Sequence, residues 1–268
     1  MRSLLSVLIP VFDEERFIGE LLDRVLAAPL PDGVDRELCI VDDASRDGSF
    51  PIIEAYQARY PGVVRIARHE KNLGKGAAVR RAVGLATGEY CIVQDADLEY
   101  DPREIARLII PIMEGRADVV YGSRFISGGE RRVMYFWHAV ANRLLTLFCN
   151  MVSNLNLTDM ETCYKAFRTP LLKSIPIRQK RFGIEPELTI KIAKRKARIY
   201  ETPISYHGRT YQEGKKIGFR DAVQAVWVIL RYSMTRDLHT FEKDIPTAVS
   251  ATVVKDNQVA EAAAGRSR

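Results

Sequence analysis

The chain has 268 residues, 47% of them hydrophobic, which suits one α/β domain of generous size or one domain with an extension. Its net charge of +6 is compatible with an anionic ligand or an anionic membrane surface, while no Lys/Arg block with interleaved aromatics marks a nucleic-acid groove. No run of about 18 apolar residues predicts a spanning helix, and Met1-Arg2 leads straight into a strand without room for a signal peptide. Cys39, Cys91, Cys149 and Cys163 are scattered without a CxxC pair, as in a reducing compartment, so a cytoplasmic protein is expected, at most peripheral at the membrane's cytoplasmic face.

Leu4 to Ile9 is the first apolar strand, stopped by Pro10, and Phe17, Ile18, Leu21, Leu22, Val25 and Leu26 then recur as a helical stripe that Pro29 and Pro31 end. Leu38 to Val41 is a second strand, followed by a helix to about Tyr60. Val63 to Ala67 is a third, after which Gly74 opens a helix through about Leu85. Tyr90 to Val93 is a fourth strand, Pro102 starts a helix in its first turn, and Asp118 to Tyr121 is another strand. Repeated strand–helix units predict an α/β fold with a mostly parallel central sheet flanked by helices. Further on, helices are expected from Trp137 to about Val152, from Glu187 to Ala193 and from Phe219 to Tyr232, with a strand over Ala197 to Glu201. Beyond about Asp244 the sequence loses periodicity and a disordered tail is expected.

Chemistry concentrates in the turns after the strands. Asp95 and Asp97, in Gln94-Asp95-Ala96-Asp97-Leu98-Glu99, are expected on one face as the chain leaves its strand, at the sheet end where open α/β proteins bind ligands. Adjacent carboxylates repel unless a cation sits between them, and oxygen ligands favour Mg2+ or Mn2+ completed by water and substrate phosphates. Pro10-Val11-Phe12-Asp13-Glu14 offers an aromatic and an acid to a base and ribose, or else a turn in which Asp13 caps the next helix. Asp42-Asp43-Ala44-Ser45-Arg46-Asp47-Gly48 offers acids to a base N–H or ribose hydroxyl, with Asp47 also suited to capping. Asn72-Leu73-Gly74-Lys75-Gly76 reads either as an anion-binding helix start or as a plain glycine turn. Ala77 stands where a P-loop needs a hydroxyl, and no GxGxxG is present.

In type and order, these pieces resemble a family 2 glycosyltransferase with a GT-A fold. The closest likeness is to its polyprenyl-phosphate (dolichol-phosphate) mannosyl- and glucosyltransferase branch. Gly122-Ser123-Arg124-Phe125 and the run from Leu157 to Phe167 fit that branch, and the likeness extends from Leu4 to about Tyr232. It implies a glycosyltransferase domain over 1–243, with 130–155 and 217–238 as candidate membrane-interface helices and a tail over 244–268. It also implies that Pro10, Phe12, Glu14, Asp42 and Asp43 surround the nucleoside, and that Lys75, Asp95 and Ala96, with Lys215 and Lys216, close the nucleotide side. Asp97 and Glu99, the latter where members often have Gln, would hold Mg2+ or Mn2+. Arg124 and Arg209 would act at the diphosphate or an acceptor phosphate, with Arg209 on a loop one residue longer than usual. Where an arginine and a serine are common, this sequence has His138 and Asn142, and Cys163 replaces a common glycine. His138 is either an acceptor contact or structural.

The reaction so implied is inverting transfer of mannose or glucose from a nucleoside-diphosphate sugar, GDP-mannose favoured and UDP-glucose the other candidate, to polyprenyl phosphate. A phosphate acceptor is already anionic and needs no base, whereas a glycan or small-molecule hydroxyl would need one, for which Asp159 is the candidate. The helix after Trp137, with Arg131, Arg132, Phe136 and Arg143 around it, either lies in a membrane interface or packs in the core. A nucleotidyltransferase shares a related sheet and two-carboxylate site, but the glycine-rich, basic stretch it needs after the first strand is absent. An inactive binding protein of the same fold would not need Asp95, Asp97, Glu99 and Arg209 together.

Overall fold

The structure, a computed structural model, describes residues 2–126, 132–208 and 219–235. Arg131, Arg209, Lys215, Lys216 and the expected tail over 244–268 lie outside the described residues. The elements run β1 (Ser3–Val11), α1 (Ile18–Ala27), β2 (Val34–Asp42), α2 (Ser49–Arg59), β3 (Val64–Arg68), α3 (Lys75–Leu85), β4 (Tyr90–Val93), α4 (Ile105–Met113) and β5 (Val119–Ser123). There follow α5 (Phe136–Ser153), β6 (Lys165–Arg168), α6 (Thr169–Ser174), α7 (Ile184–Lys194), β7 (Ile199–Pro203) and α8 (Phe219–Met234).

The strands form a seven-stranded sheet in the order β3-β2-β1-β4-β6-β5-β7. Only β6 runs against its neighbours; β1 pairs in parallel with β2 and β4, β2 with β3, and β5 with β7. Strands β1 and β2 carry continuous apolar runs because helices cover both faces: Leu5, Leu8, Ile9, Leu38, Cys39 and Ile40 are fully buried, each worth roughly 1.5–3 kcal/mol as a packed side chain. The α1 stripe Ile18, Leu21, Leu22 and Val25 is buried against them as its spacing requires.

Strand β6 and helix α6 were not expected. β6 is four residues long and opens and closes on Lys165 and Arg168, so its only apolar signal is Ala166-Phe167. Lys165 is nevertheless buried, its ammonium donating to the Met160 and Thr162 carbonyls and lying 4.8 Å from the centre of the Tyr121 ring. Local pattern treats a lysine as a surface residue, and here tertiary carbonyls override that preference.

The chain passes from β1 outward to β2 and β3, then returns to place β4 on the other side of β1. This is the switch point at which open α/β sheets form a crevice at their strand ends. The turns after β1, β2 and β4 converge there.

Candidate active site

A cavity of about 1300 Å³ occupies that crevice. The turns after β1 and β2 are cross-linked beneath it. Asp13 N–H donates to Ser45 Oγ at 3.1 Å, Arg46 N–H to Asp13 Oδ1 at 2.8 Å and Glu14 N–H to Ser49 Oγ at 2.9 Å. Glu15 N–H donates to Asp47 Oδ2 at 3.0 Å, and Gly48 N–H returns to Glu15 Oε2 at 2.9 Å. Asp13 therefore holds the second turn and does not cap α1, whose N-cap is Phe17; Asp47 receives the Ser49 N–H at the start of α2, as expected of a cap-like residue. Three of the five described non-glycine residues with positive φ, Asp13, Ala44 and Leu98, lie in the turns after β1, β2 and β4, at an order of 1–3 kcal/mol each. The surrounding hydrogen bonds sustain that strain.

Pro10, Phe12, Glu14, Asp43, Lys75, Asp95, Ala96, Asp97, Glu99, Arg124 and His138 all line the cavity. Asp42 does not. It is fully buried and receives the Ser45 N–H at 3.2 Å and Arg68 Nε at 3.0 Å, so its geometry suits bracing the turn. Asp43 reaches the cavity wall with both oxygens engaged, by His69 Nδ1 at 2.6 Å, Leu73 N–H at 2.9 Å and Gly74 N–H at 2.6 Å.

That last bond fixes the start of α3. Gly74 has φ +94°, and a Cβ there would meet the Lys180 carbonyl oxygen at 2.4 Å; at Gly76 it would meet the Gln179 oxygen at 2.2 Å. Ala77 N–H donates to both the Gly74 and Lys180 carbonyls. Of the two readings of this helix start, these contacts favour the glycine turn, with the glycines serving close approach. Lys75 reaches inward instead, its Nζ 3.0 Å from Asp95 and 3.1 Å from Glu185. Burial lowers its pKa, but the two carboxylates outweigh that and hold the ammonium well above its ordinary range. Beside it Cys163 is pushed up by burial and by Asp95, so it stays a thiol rather than a nucleophile.

Asp95 and Asp97 share the cavity, though not by strand alternation: β4 ends at Val93, and the chain turns through Leu98 at φ +60°. Glu99 N–H donates to Asp97 Oδ1 at 3.2 Å, and Tyr206 Oη donates to Glu99 Oε2 at 2.9 Å. No group of three His, Cys, Asp or Glu side chains among the described residues forms a ready-made metal cage. Two cavity-facing carboxylates are nonetheless the donor set for a hard divalent ion that takes its remaining ligands from water and substrate phosphate, so Asp97 and Glu99 fit such an ion.

Arg124 is bidentate to Asp159, with Nε 2.6 Å from Oδ2 and Nη2 2.8 Å from Oδ1, and Asn142 Nδ2 donates to Oδ1 at 3.0 Å. Asp159 is fully buried and absent from the cavity lining, and although burial raises it, Arg124 and its hydrogen bonds hold its carboxyl below the usual range. It is positioned to anchor Arg124 and poorly placed to take a proton from an acceptor hydroxyl. Burial lowers the Arg124 pKa, but Asp159, with Tyr100 and Tyr206, outweighs that and holds the guanidinium well above the ordinary arginine range.

The far wall is helical. Trp137, His138, Ala141, Asn142 and Leu145 recur along one stripe of α5, and Ala222 and Ala225 of α8 face the same space. Behind them Cys149, Met160, Ile190, Val228, Ile229 and Tyr232 form a small second core joining α5, α7 and α8. Core packing claims little of α5, in which only Thr146 and Cys149 are buried; Trp137 is 74% exposed, with Leu144, Leu147 and Met151 also outward. On α8, Trp227 is 51% exposed beside Val223, Val226 and Leu230.

Sequence reasoning assigned no role to Glu161, Glu185, Tyr206 or Arg181, all of which line the cavity. Glu185 reads locally as an ordinary acid in a first helical turn, and only the fold brings it to Lys75. Glu161 was visible as a charged residue amid the otherwise uncharged stretch between Asp159 and Lys165, which was its one available signal.

A mostly parallel sheet with strand-end carboxylates and a facing arginine at its crevice defines an α/β protein of the GT-A type. Solved structures agree on the fold: glucosyl-3-phosphoglycerate synthase from Mycobacterium tuberculosis, in complex with Mn2+, uridine-diphosphate and phosphoglyceric acid, matches with TM-score 0.65 at 22% identity, covering 88% of this chain and 80% of that one. The profile of Glycosyl transferase family 2 matches residues 6–175, and the chain belongs to that family. It is 30% identical to an undecaprenyl-phosphate mannosyltransferase of Micrococcus luteus, over 79% of this chain and 86% of that protein. It is 28% identical to a dolichol-phosphate mannosyltransferase of Pyrococcus furiosus, over 80% of this chain. It is 25% identical to a dodecaprenyl-phosphate galacturonate synthase of Rhizobium johnstonii, over 79% of this chain. The aligned region spans 59% and 61% of those last two relatives.

Proposed function

We propose that the protein transfers a hexose from a nucleoside-diphosphate sugar, GDP-mannose or UDP-glucose, to a polyprenyl phosphate. The observation that carries this reading is the continuity of one cavity from the strand-end carboxylates to the inner stripes of α5 and α8, whose outer faces are apolar and exposed. A nucleoside diphosphate suits the Pro10–Glu14 end, and a lipid phosphate arriving along the helices would meet Arg124. The names of the relatives from Micrococcus and Pyrococcus support the acceptor class.

In this reading Arg124, held by Asp159, which Asn142 braces in turn, orients the acceptor phosphate. That phosphate is already anionic, so the engaged state of Asp159 costs the reaction nothing. Lys75 offsets part of the negative charge of Asp95 and Glu185 at the floor, which eases the approach of the anionic donor. A divalent ion on Asp97 and Glu99 would stabilise the diphosphate leaving group. Arg209 is assigned to the same growing charge by resemblance alone. Among the described residues no helix is long and apolar enough to cross a membrane, and we assign the outer faces of α5 and α8 to contact with a bilayer surface.

The test is nucleoside diphosphate release from GDP-mannose and from UDP-glucose, with Mg2+ or Mn2+, in the presence of a short polyprenyl phosphate, a soluble glycan or neither. Release stimulated by the lipid phosphate alone is expected. Stimulation by the glycan alone would transfer the assignment to a hydroxyl acceptor.

A further inference from the structure

The segment that leaves β7 runs along the cavity and is held at successive residues. Ser205 N–H donates to both carboxyl oxygens of Glu104 at 3.0 Å, and His207 N–H donates to the Glu99 carbonyl at 2.9 Å. Arg132 adds two bonds, its N–H to the Tyr206 carbonyl at 3.1 Å and its Nη1 to the Gly208 carbonyl at 2.9 Å. Tyr206 is therefore fixed from both flanks, and it is only 7% exposed. Its ring lies against that of Tyr100, with centroids 5.5 Å apart. A Cβ at Gly208 would come within 2.5 Å of Tyr206 Cε1, so the glycine makes room for the ring.

This side chain touches both halves of the reaction proposed above. Its Oη donates to Glu99 Oε2 at 2.9 Å, and its ring centre lies 5.0 Å from the guanidinium carbon of Arg124. A carboxylate that accepts from a fixed donor is held in one orientation. Such outer partners of metal ligands commonly contribute about 10–100-fold to metal affinity. An aromatic face holds a guanidinium without occupying any of its N–H donors, here while Nε and Nη2 of Arg124 engage Asp159.

We propose that Tyr206 is a positioning residue that sets the two halves of the site against each other. Its hydroxyl orients Glu99 for the divalent ion, and its ring seats Arg124 for the acceptor phosphate. The proposal rests on the donor and acceptor readings of the cavity given above.

Two readouts separate the halves. The Mn2+ concentration that half-saturates binding of labelled UDP or GDP, followed by equilibrium dialysis, reports on Glu99 without turnover. The KM for a short polyprenyl phosphate at saturating Mn2+ reports on Arg124. Tyr206→Phe is expected to raise the Mn2+ requirement about tenfold and to leave the acceptor KM within about twofold. Tyr206→Leu is expected to raise both, the acceptor KM by about threefold or more. A merely structural tyrosine would lower the melting temperature and leave the Mn2+ requirement of the folded variant unchanged, which overturns the proposal. An acceptor KM raised in Tyr206→Phe, where the ring is kept, also overturns it, whether or not Tyr206→Leu folds. So does a wild-type acceptor KM in Tyr206→Leu. If the wild type binds neither UDP nor GDP with Mn2+, the donor reading falls and the proposal with it. If it binds one of them and transfers nothing to the lipid phosphate, the acceptor reading falls, and the role of the ring with it.

Discussion

Arg124 engages both oxygens of Asp159 and Asn142 one of them, beside the cavity. Replacing Asp159 by asparagine strands the guanidinium, and breaking one side of a buried pair costs about 3–5 kcal/mol. Asp159→Asn is accordingly expected to lower the urea midpoint at neutral pH by that equivalent. The pH dependence has a definite sign. The folded carboxyl titrates below its unfolded value, so its stabilisation is fully present above the unfolded Asp pKa of about 3.9 and is lost as pH falls through the lower folded value. Acid titration of the wild type should contain this limb and Asp159→Asn should lack it. An unchanged acid limb would show that the pair is not formed. The motif around Asp159 was legible in the sequence, and so was Arg124; their pairing was not, because they are separated by 35 positions and no periodicity links them.

Helix α3 opens on a motif that the sequence left two ways to read. Asn72 to Gly76 is recognisable as a glycine-bearing helix start, yet its glycines make room for the Gln179–Arg181 backbone, a partner about a hundred residues later in the chain. Gly76→Ala is expected to destabilise the protein by about 1–3 kcal/mol, since a Cβ would displace a carbonyl held in place by backbone packing. Gly84→Ala, in the same helix with open space around it, is expected to add about 0.5–1 kcal/mol instead. Opposite signs in paired denaturation curves check the assignment. Elements with strong periodicity, β1, β2, α1 and α5, lie within a few residues of their expected positions, whereas β6 was hidden by its length and its terminal charges.

On the proposed function the molecule would face two solvents. The sheet would present polar turns to a water-soluble donor, and α5 and α8, resting on their own small core, turn Leu144, Leu147 and Trp227 outward with Arg143 and Arg231 among them. An apolar face with basic residues suits an anionic bilayer surface. The double variant Leu144→Glu/Leu147→Glu, at two exposed positions of α5 that do not line the cavity, is expected to lose most co-sedimentation with vesicles containing anionic lipid, by about tenfold, while its nucleoside-diphosphate affinity stays unchanged. The hydrophobic stripe of α5 was evident in the sequence; which part packs and which stays outside depends on its contacts with α7 and α8, and only the folded chain supplies those.

The most direct measurement of the whole account follows labelled hexose from GDP-mannose or UDP-glucose into an organic phase containing a short polyprenyl phosphate. It compares wild type with Asp97→Ala in the presence of Mg2+ or Mn2+. The account predicts lipid-dependent labelling by the wild type and a loss of about a hundredfold or more in Asp97→Ala, with the fold intact by circular dichroism. Absence of labelled lipid from both donors, or labelling undiminished in Asp97→Ala, would contradict it.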